Sequence, residues 1–387
     1  MLEFAARSRL ATGGFGWLDD EGRVVDRPVE TFITARMTYV FALAALQGRD
    51  GAADLVDHGL AALSGPLPDA EYGGWHPVDP RGAQVDEKRA YDHAFVVLAA
   101  AAATVAGRPG AAELLTQALE VVDRHFWVPE DGLAVDVWDR GFTRCEPYRG
   151  ANANMHLVEA YLTAATATGD RRYVERALGI AEKLVHGHAR AFGWRMPEHY
   201  DAAWQVLPDY NRDRPDDPFR PFGATVGHWL EWSRLLLHLH LACAETSDAP
   251  PDWLLADARG LHDTAVAEGW TADGAEGFVY TVDFDGRPVV RTRMHWVVCE
   301  ALAASATVTH VTGDPWTASL RDRWWDYARR HLVDRAAGGW HHELDPHNRP
   351  AATVWAGKPD VYHAYQALLV CLLPAAPSVP AAVLARG

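Results

Sequence analysis

The stretch GWHPVDPRGAQVDEKRAYDHAFVVLAAAAATVAG, residues 74–107, holds one complete unit of this chain. It opens on a glycine–tryptophan pair, Gly74-Trp75, and crosses a polar segment to Tyr91, Asp92 and His93. From there it runs on as apolar or small residues until Gly107. A helix with no polar face is buried around most of its circumference. A polar first turn on such a helix is the anomaly that needs explaining, because unpartnered buried polar groups are costly.

The same unit recurs along the chain. A glycine followed by an aromatic or bulky apolar residue stands at Gly16-Trp17, Gly74-Trp75, Gly132-Leu133, Gly193-Trp194, Gly277-Phe278 and Gly339-Trp340, with steps of 58, 58, 61, 84 and 62 residues. Each pair is followed by an apolar helical segment. These are TFITARMTYVFALAALQG closed by Gly48, AYDHAFVVLAAAAATVAG by Gly107, NMHLVEAYLTAATATGD by Gly169, HWLEWSRLLLHLHLACAE ending near Ser247, MHWVVCEALAASATVTHVTGD by Gly313, and YHAYQALLVCLL running into Pro374. More polar, amphipathic segments such as RRYVERALGIAEKLVHGHA and LRDRWWDYARRHLV lie between them. Six copies of a helix pair predict an all-α toroid of six inner and six outer helices with a pocket on its axis. The glycines are expected to end the outer helices through positive φ, and the aromatic residues to line the mouth.

The repeat predicts one domain over residues 1–387. The long fourth step is read as a lid-like insertion at about 197–221, which contains DYNRDRPDDPFRP. With 36 Lys and Arg against 52 Asp and Glu, the formal charge is -16, which argues against a nucleic-acid partner. Only Lys88, Lys183 and Lys358 are lysines. Cys145, Cys243, Cys299 and Cys371 have no metal-ligand spacing and read as buried thiols in a reducing compartment. No signal peptide and no membrane-length apolar run is read, so the expectation is a soluble cytoplasmic protein, monomer or homodimer.

Polar residues cluster at all six inner-helix starts: Arg36; Tyr91, Asp92 and His93; Asn152, Asn154 and His156; His228 and Glu231; Arg293 and His295; Tyr362, His363 and Gln366. Such a ring implies a ligand-filled cavity. His228 and Glu231 are three apart on one helical face, so the carboxylate is expected to orient the imidazole. His363 follows Pro359 and Asp360, a helix-start signature. Arg220 ends the insertion and could close over the pocket. Several of the 16 tryptophans, including Trp17, Trp75, Trp194, Trp340 and Trp355, fall at turns and would suit stacking on sugar rings. HGH (186–188) and GGWHHELDPH (338–347) lack carboxylate or cysteine partners at ligand spacing, so no metal is expected. No nucleotide or nucleophile motif occurs, and no cofactor is expected. Imidazoles, amides and arginines around a monosaccharide suit proton transfer at carbon next to a carbonyl.

The segments ARMTYVFALA (35–44), YDHAFVVLA (91–99), NANMHLVEAY (152–161), RPFGATVGHWLEWSRLL (220–236), GGWHHELD (338–345) and GKPDVYHAYQALL (357–369) resemble the N-acylglucosamine 2-epimerase superfamily. They keep their order through nearly the whole chain. The resemblance implies an (α/α)6 barrel and cofactor-independent sugar isomerisation or epimerisation by paired histidines. Carried over by position, His363 resembles the base that moves the proton between C1 and C2. His228 resembles its partner in ring opening or proton transfer, with Glu231 supporting it. Arg36, Tyr91, Asn152, His156 and Arg220 match substrate-binding positions. GKPDVYHAYQ looks most like the aldose–ketose isomerase branch acting on mannose.

Three alternatives stay open at this point. One is a sugar 2-epimerase of the mannose/glucose, cellobiose or N-acylglucosamine type. Another is an (α/α)6 glycoside hydrolase using two carboxylates among Asp136, Asp139 and Glu198. The last is a non-catalytic sugar-binding protein.

Overall fold

The computed structural model describes residues 1–245 and 249–386. Helices dominate, and the strands are two or three residues long. The chain divides into two compact units, Met1–Ile180 with Pro359–Tyr362 and Ser378–Gly387, and Ala181–Lys358 with His363–Pro377.

The first unit holds α1 (Leu2–Ala6), α2 (Thr31–Leu46), α3 (Ala52–Ser64), α4 (Ala90–Val105), α5 (Ala111–Val121) and α6 (Ala151–Thr168). It is followed by α7 (Arg172–Ala181), which continues as a π-helical segment, Glu182–Ala189. Helices α2, α4 and α6 pack side by side, while α3 packs on α2 and α5 on α4. In α2 every residue from Thr31 to Ala44 is buried, and in α4 every residue from Asp92 to Ala103. Helix α5 buries only a stripe, Ala111, Leu114, Leu115, Ala118 and Leu119, so the enclosed and amphipathic helices alternate as the sequence predicts.

The second unit holds α8 (Val226–Glu245), α9 (Trp253–Gly269), α10 (His295–Thr312), α11 (Pro315–Tyr327) and, from His363 onward, α12 (Tyr362–Leu372). Helix α8 packs on α9 and α10, and α10 on α11. The expected end of α8 near Ser247 lies outside the described residues. The last helix, α13 (Val379–Leu384), belongs to the first unit and packs on α2 and α6. Among the described residues no helix is long and apolar enough to cross a membrane. The four cysteines are free thiols, with Cys243 and Cys299 buried.

The repeated glycines do something other than end helices. Gly74 has φ +66 and sits at the tip of a hairpin, where Asp69 N–H donates to Gly74 O and His76 N–H to Leu67 O. The first repeat is shifted. Gly16 is not in the left-handed region, whereas Gly14 is, at φ +74, and Phe15 makes the bridge that Trp75 makes in the next repeat. Only Gly193 follows the expectation, since Trp194 N–H returns to Ala189 O as the helical segment closes. The turn aromatics mostly pack rather than line a mouth. Trp75 is enclosed, with its indole N–H on Leu63 O, and Trp17 lies under the Arg27 guanidinium.

Each hairpin is fastened to the start of an enclosed helix. Buried Lys88, two residues before α4, donates to Asp69 Oδ2 at 2.9 Å and Gly73 O at 2.9 Å. Lys358, ahead of α12, does the same to Asp334 Oδ2 at 2.6 Å and Gly338 O at 2.9 Å. Arg293, ahead of α10, reaches Asp273 Oδ1 at 2.7 Å. Burial alone would raise the Asp334 carboxyl, yet Lys358 and two backbone N–H groups hold it down to about 2. These pairs account for two of the three lysines and for Arg293, which the sequence reading had aimed into a pocket. Asn154 is likewise taken, its amide pairing with Ala134 N–H and Ala134 O.

Candidate active site

Two clusters contain the residues the sequence singles out. The second unit holds the histidines. His228, in the first turn of α8, places Nδ1 3.0 Å from both oxygens of Glu198. Glu198 precedes a two-residue strand, His199–Tyr200, and also accepts from Thr225 N–H at 3.4 Å. Its carboxylate therefore fixes both the imidazole and the entry into α8. His363, in the first turn of α12, places Nδ1 2.8 Å from Glu300 Oε1. The other oxygen, Glu300 Oε2, accepts from Arg234 Nε at 2.9 Å, and Arg234 Nη2 lies 3.4 Å from Glu231 Oε1. All four of these side chains are buried.

The indole of Trp296 lies against both imidazoles, 5.2 Å from the His228 ring and 5.5 Å from that of His363. It can do so because α8 carries glycine at 227, where a Cβ would stand 2.2 Å from Trp296 Cζ3. With Nδ1–H donating to a carboxylate, the unprotonated nitrogen of each neutral ring is Nε2. Glu231, Glu300 and His363 bring donor atoms within 4.8 Å of one another. The Arg234 guanidinium bonds both carboxylates and offsets one of their two charges.

The sequence expects Glu231 to hold His228. The structure gives that place to Glu198 and pairs Glu231 with Arg234. Residues i and i+3 share a helical face, but a loop carboxylate reaches the ring edge first. Arg220 belongs to this unit as well. Its Nη1 lies 3.3 Å from Tyr210 Oη, and its carbonyl accepts from Asn211 Nδ2 at 2.8 Å. These bonds, with His199 Nε2 on Pro221 O at 2.7 Å, order the insertion, which contains no helix.

The first unit holds the remaining candidates. Buried Arg36, on α2, donates from Nη1 to Asp360 Oδ2 at 3.3 Å and from Nη2 to Tyr91 Oη at 2.7 Å. Its guanidinium faces the rings of Phe95 at 4.4 Å and Tyr362 at 4.9 Å. Burial works against the charge, but Tyr91, Asp360 and Tyr362 outweigh it and push the pKa above the usual arginine range. Arg36 Nε makes no hydrogen bond within the described structure. His156 meets Tyr91 edge-on at 5.2 Å. Asn152, beside it on α6, is half-buried, and its Oδ1 has no hydrogen-bond partner among the described residues. The phenol of Tyr362 donates to buried Glu159.

The sequence profile of N-acylglucosamine 2-epimerase (GlcNAc 2-epimerase) matches residues 13–367. The chain belongs to the N-acylglucosamine 2-epimerase family. It is 53% identical over 391 residues to a D-mannose isomerase of Thermobifida fusca, covering 100% of this chain and 95% of the relative. It is 48% identical over 384 residues to a D-mannose isomerase of Pseudomonas cannabina pv. alisalensis, covering 99% and 92%. A crystal structure of a D-mannose isomerase superposes with a TM-score of 0.89 at 28% identity, covering 96% of this chain and 95% of that one. The fold is thus the all-α (α/α)6 barrel.

Within this member of the N-acylglucosamine 2-epimerase family, sequence reasoning missed four partners: Glu300, Arg234, Asp360 and Tyr362 as the donor to Glu159. Two of them carried a signal. Glu300 is the lone charge in the apolar run VVCEALAA, and Arg234 lies in the apolar α8, so each required a buried partner. Glu198 entered the reading only as a candidate glycosidase acid.

Proposed function

We propose that this chain is an aldose–ketose isomerase that interconverts D-mannose and D-fructose through an enediol. The observation that carries the reading is the pair of imidazoles, His363 and His228, each held at Nδ1 by its own buried carboxylate. The substrate is supported by the two D-mannose isomerases that the chain resembles over its full length.

In this reading neutral His363 takes the proton from C2 of open-chain mannose through Nε2 and returns it to C1. The electron pair of the broken C2–H bond forms the C1–C2 double bond of the enediol, and O1 gains a proton. Reprotonation at C1 then restores a carbonyl at C2, with O2 losing its proton. His228 opens the pyranose and moves the proton between O1 and O2. Glu300 and Glu198 hold the tautomers and stabilise each imidazolium as it forms. Arg36, Tyr91, Asn152, His156 and Arg220 are assigned to sugar binding, and the unsatisfied Arg36 Nε and Asn152 Oδ1 are a donor and an acceptor suited to hydroxyl groups. Acid–base catalysis of this kind contributes roughly 10²–10⁴-fold.

The test is product analysis in D₂O. Mannose should give fructose, with deuterium at C1 in the fraction of turnovers where the proton on His363 exchanges with solvent before delivery, and His363→Ala should stop both conversion and exchange. Glucose in place of fructose would make the enzyme a 2-epimerase. Exchange at the wild-type rate in the His363→Ala protein would remove His363 from the mechanism.

A further inference from the structure

Arg234 is completely enclosed, with no exposed side-chain surface, in the middle of α8. A guanidinium in that position must be paired. It is paired with two carboxylates from different helices, Glu300 on α10 through Nε and Glu231 on its own helix through Nη2. The two oxygens of Glu300 are thereby divided between Arg234 and His363, at 2.9 and 2.8 Å. A carboxylate bonded at one oxygen only can still rotate about its terminal torsion; one bonded at both cannot.

We propose that Arg234 is a positioning residue for the proton transfer, acting on His363 through Glu300. The proposal rests on the isomerase reading above. Arg234 itself need not touch substrate. Its task is to lock the Glu300 carboxylate in the plane that presents Oε1 to His363 Nδ1, and to keep that carboxylate ionised although it is buried. The Glu300 carboxylate, bonded to His363 Nδ1, is the counter-charge for the imidazolium that forms when His363 takes a proton. The next polar group on the same face is His238, four residues on and also buried. Burial, with Arg234 beside it, pushes His238 down to about 3, so it stays neutral.

The test compares full-length wild type, Arg234→Met and Arg234→Lys. Steady-state conversion of mannose to fructose gives kcat and KM, and ¹⁵N-histidine NMR gives the tautomer of His363, with its signals assigned by their loss in His363→Ala. Arg234→Met should lower kcat about 10-fold or more at nearly constant KM, within the ~10²-fold range of positioning losses. It should also shift the His363 signals. Arg234→Lys, which can restore one contact to Glu300, should fall between the two. If Arg234→Met loses its cooperative melting transition, Arg234→Lys decides alone, by a lowered kcat at unchanged KM and altered His363 signals. Wild-type kcat and wild-type His363 signals in a folded variant would overturn the proposal. A loss confined to KM would overturn it as well. Should the wild type give no fructose, the isomerase reading fails, and the His363 signals still report whether Arg234 sets the tautomer.

Discussion

Glu300 Oε1 lies 2.8 Å from Nδ1 of His363, and both side chains are buried. Replacing Glu300 with Gln keeps an acceptor at nearly the same place but removes its charge. The imidazolium would then form without a counter-charge, and Arg234 would lose its nearest carboxylate. Glu300→Gln should therefore cost roughly 10²-fold or more in kcat, the scale of general acid–base catalysis, with KM for mannose changed far less. Fructose formation under saturating mannose measures it. A kcat near the wild-type value would take Glu300 out of the mechanism.

The second prediction concerns the tight approach behind the two histidines. A Cβ at Gly227 would stand 2.2 Å from Cζ3 and 2.5 Å from Cη2 of Trp296. Alanine is normally the better helix residue by ~1 kcal/mol. Here overpacking against a rigid indole should win, for a net loss of about 1–3 kcal/mol in stability. Because Trp296 is the shared neighbour of His228 and His363, kcat should fall as well. Adding Trp296→Phe to Gly227→Ala should recover part of the stability, since the two effects act through one contact. Urea unfolding of the two singles and the double gives the coupling. Strictly additive losses would contradict it.

His228 and His363 were legible because an apolar helix beginning with an imidazole is anomalous, and Arg36 for the same reason. The partners were harder to read. Glu300 and Arg234 announce only that each needs a partner; the pairing itself joins residues 66 apart across two helices. The reverse error arose at His93, Asn154 and Arg293. They looked like pocket groups, but the hairpins that precede the enclosed helices present buried backbone N–H and C=O groups, and these residues satisfy them. Sequence shows that a polar group is there, but not whether a hairpin or a ligand meets it. The family resemblance drew the correct fold from segments spread along the whole chain, including repeats whose glycines had been given the wrong task.

His93 supplies the third prediction. Its Nδ1 lies 2.7 Å from Arg89 O, and its Nε2 accepts from Trp75 N–H at 3.1 Å, which fixes the neutral Nδ1–H tautomer. Burial holds its pKa down to about 3. The folded value is below the unfolded one, so the unfolded chain binds the extra proton between about pH 6.5 and 3, and stability falls as pH falls through that window. Asn154 fills the corresponding place in the next repeat without titrating, donating to Gly150 O and accepting from Ala134 N–H. His93→Asn should thus be less stable than wild type near neutrality, through the space left beside Phe126, yet lose less on acidification. Unfolding free energies at about pH 6.5 and 4 decide it. A loss as steep as in the wild type would show that other groups dominate the acid limb.

The neighbouring residue should act with the opposite sign. Asp92 is completely enclosed, and burial, with the charges of Glu30 and Glu87 adding to it against Arg89, pushes its carboxyl up to about 7. A carboxyl with a folded pKa above its unfolded value binds the proton more tightly when folded. Between about pH 4 and 7 the native state holds the extra proton, so stability declines as pH rises through that window. Asparagine has nearly the shape of the protonated acid and no charge to desolvate. Asp92→Asn should accordingly match the wild type closely at about pH 3.5 and exceed it at about pH 8, read by urea unfolding at each pH. Some decline should persist in the variant, because burial also raises Glu30. If the difference between variant and wild type is the same at both pH values, Asp92 is ionised in the folded protein throughout, and the opposed slopes assigned to these two consecutive residues of α4 do not exist.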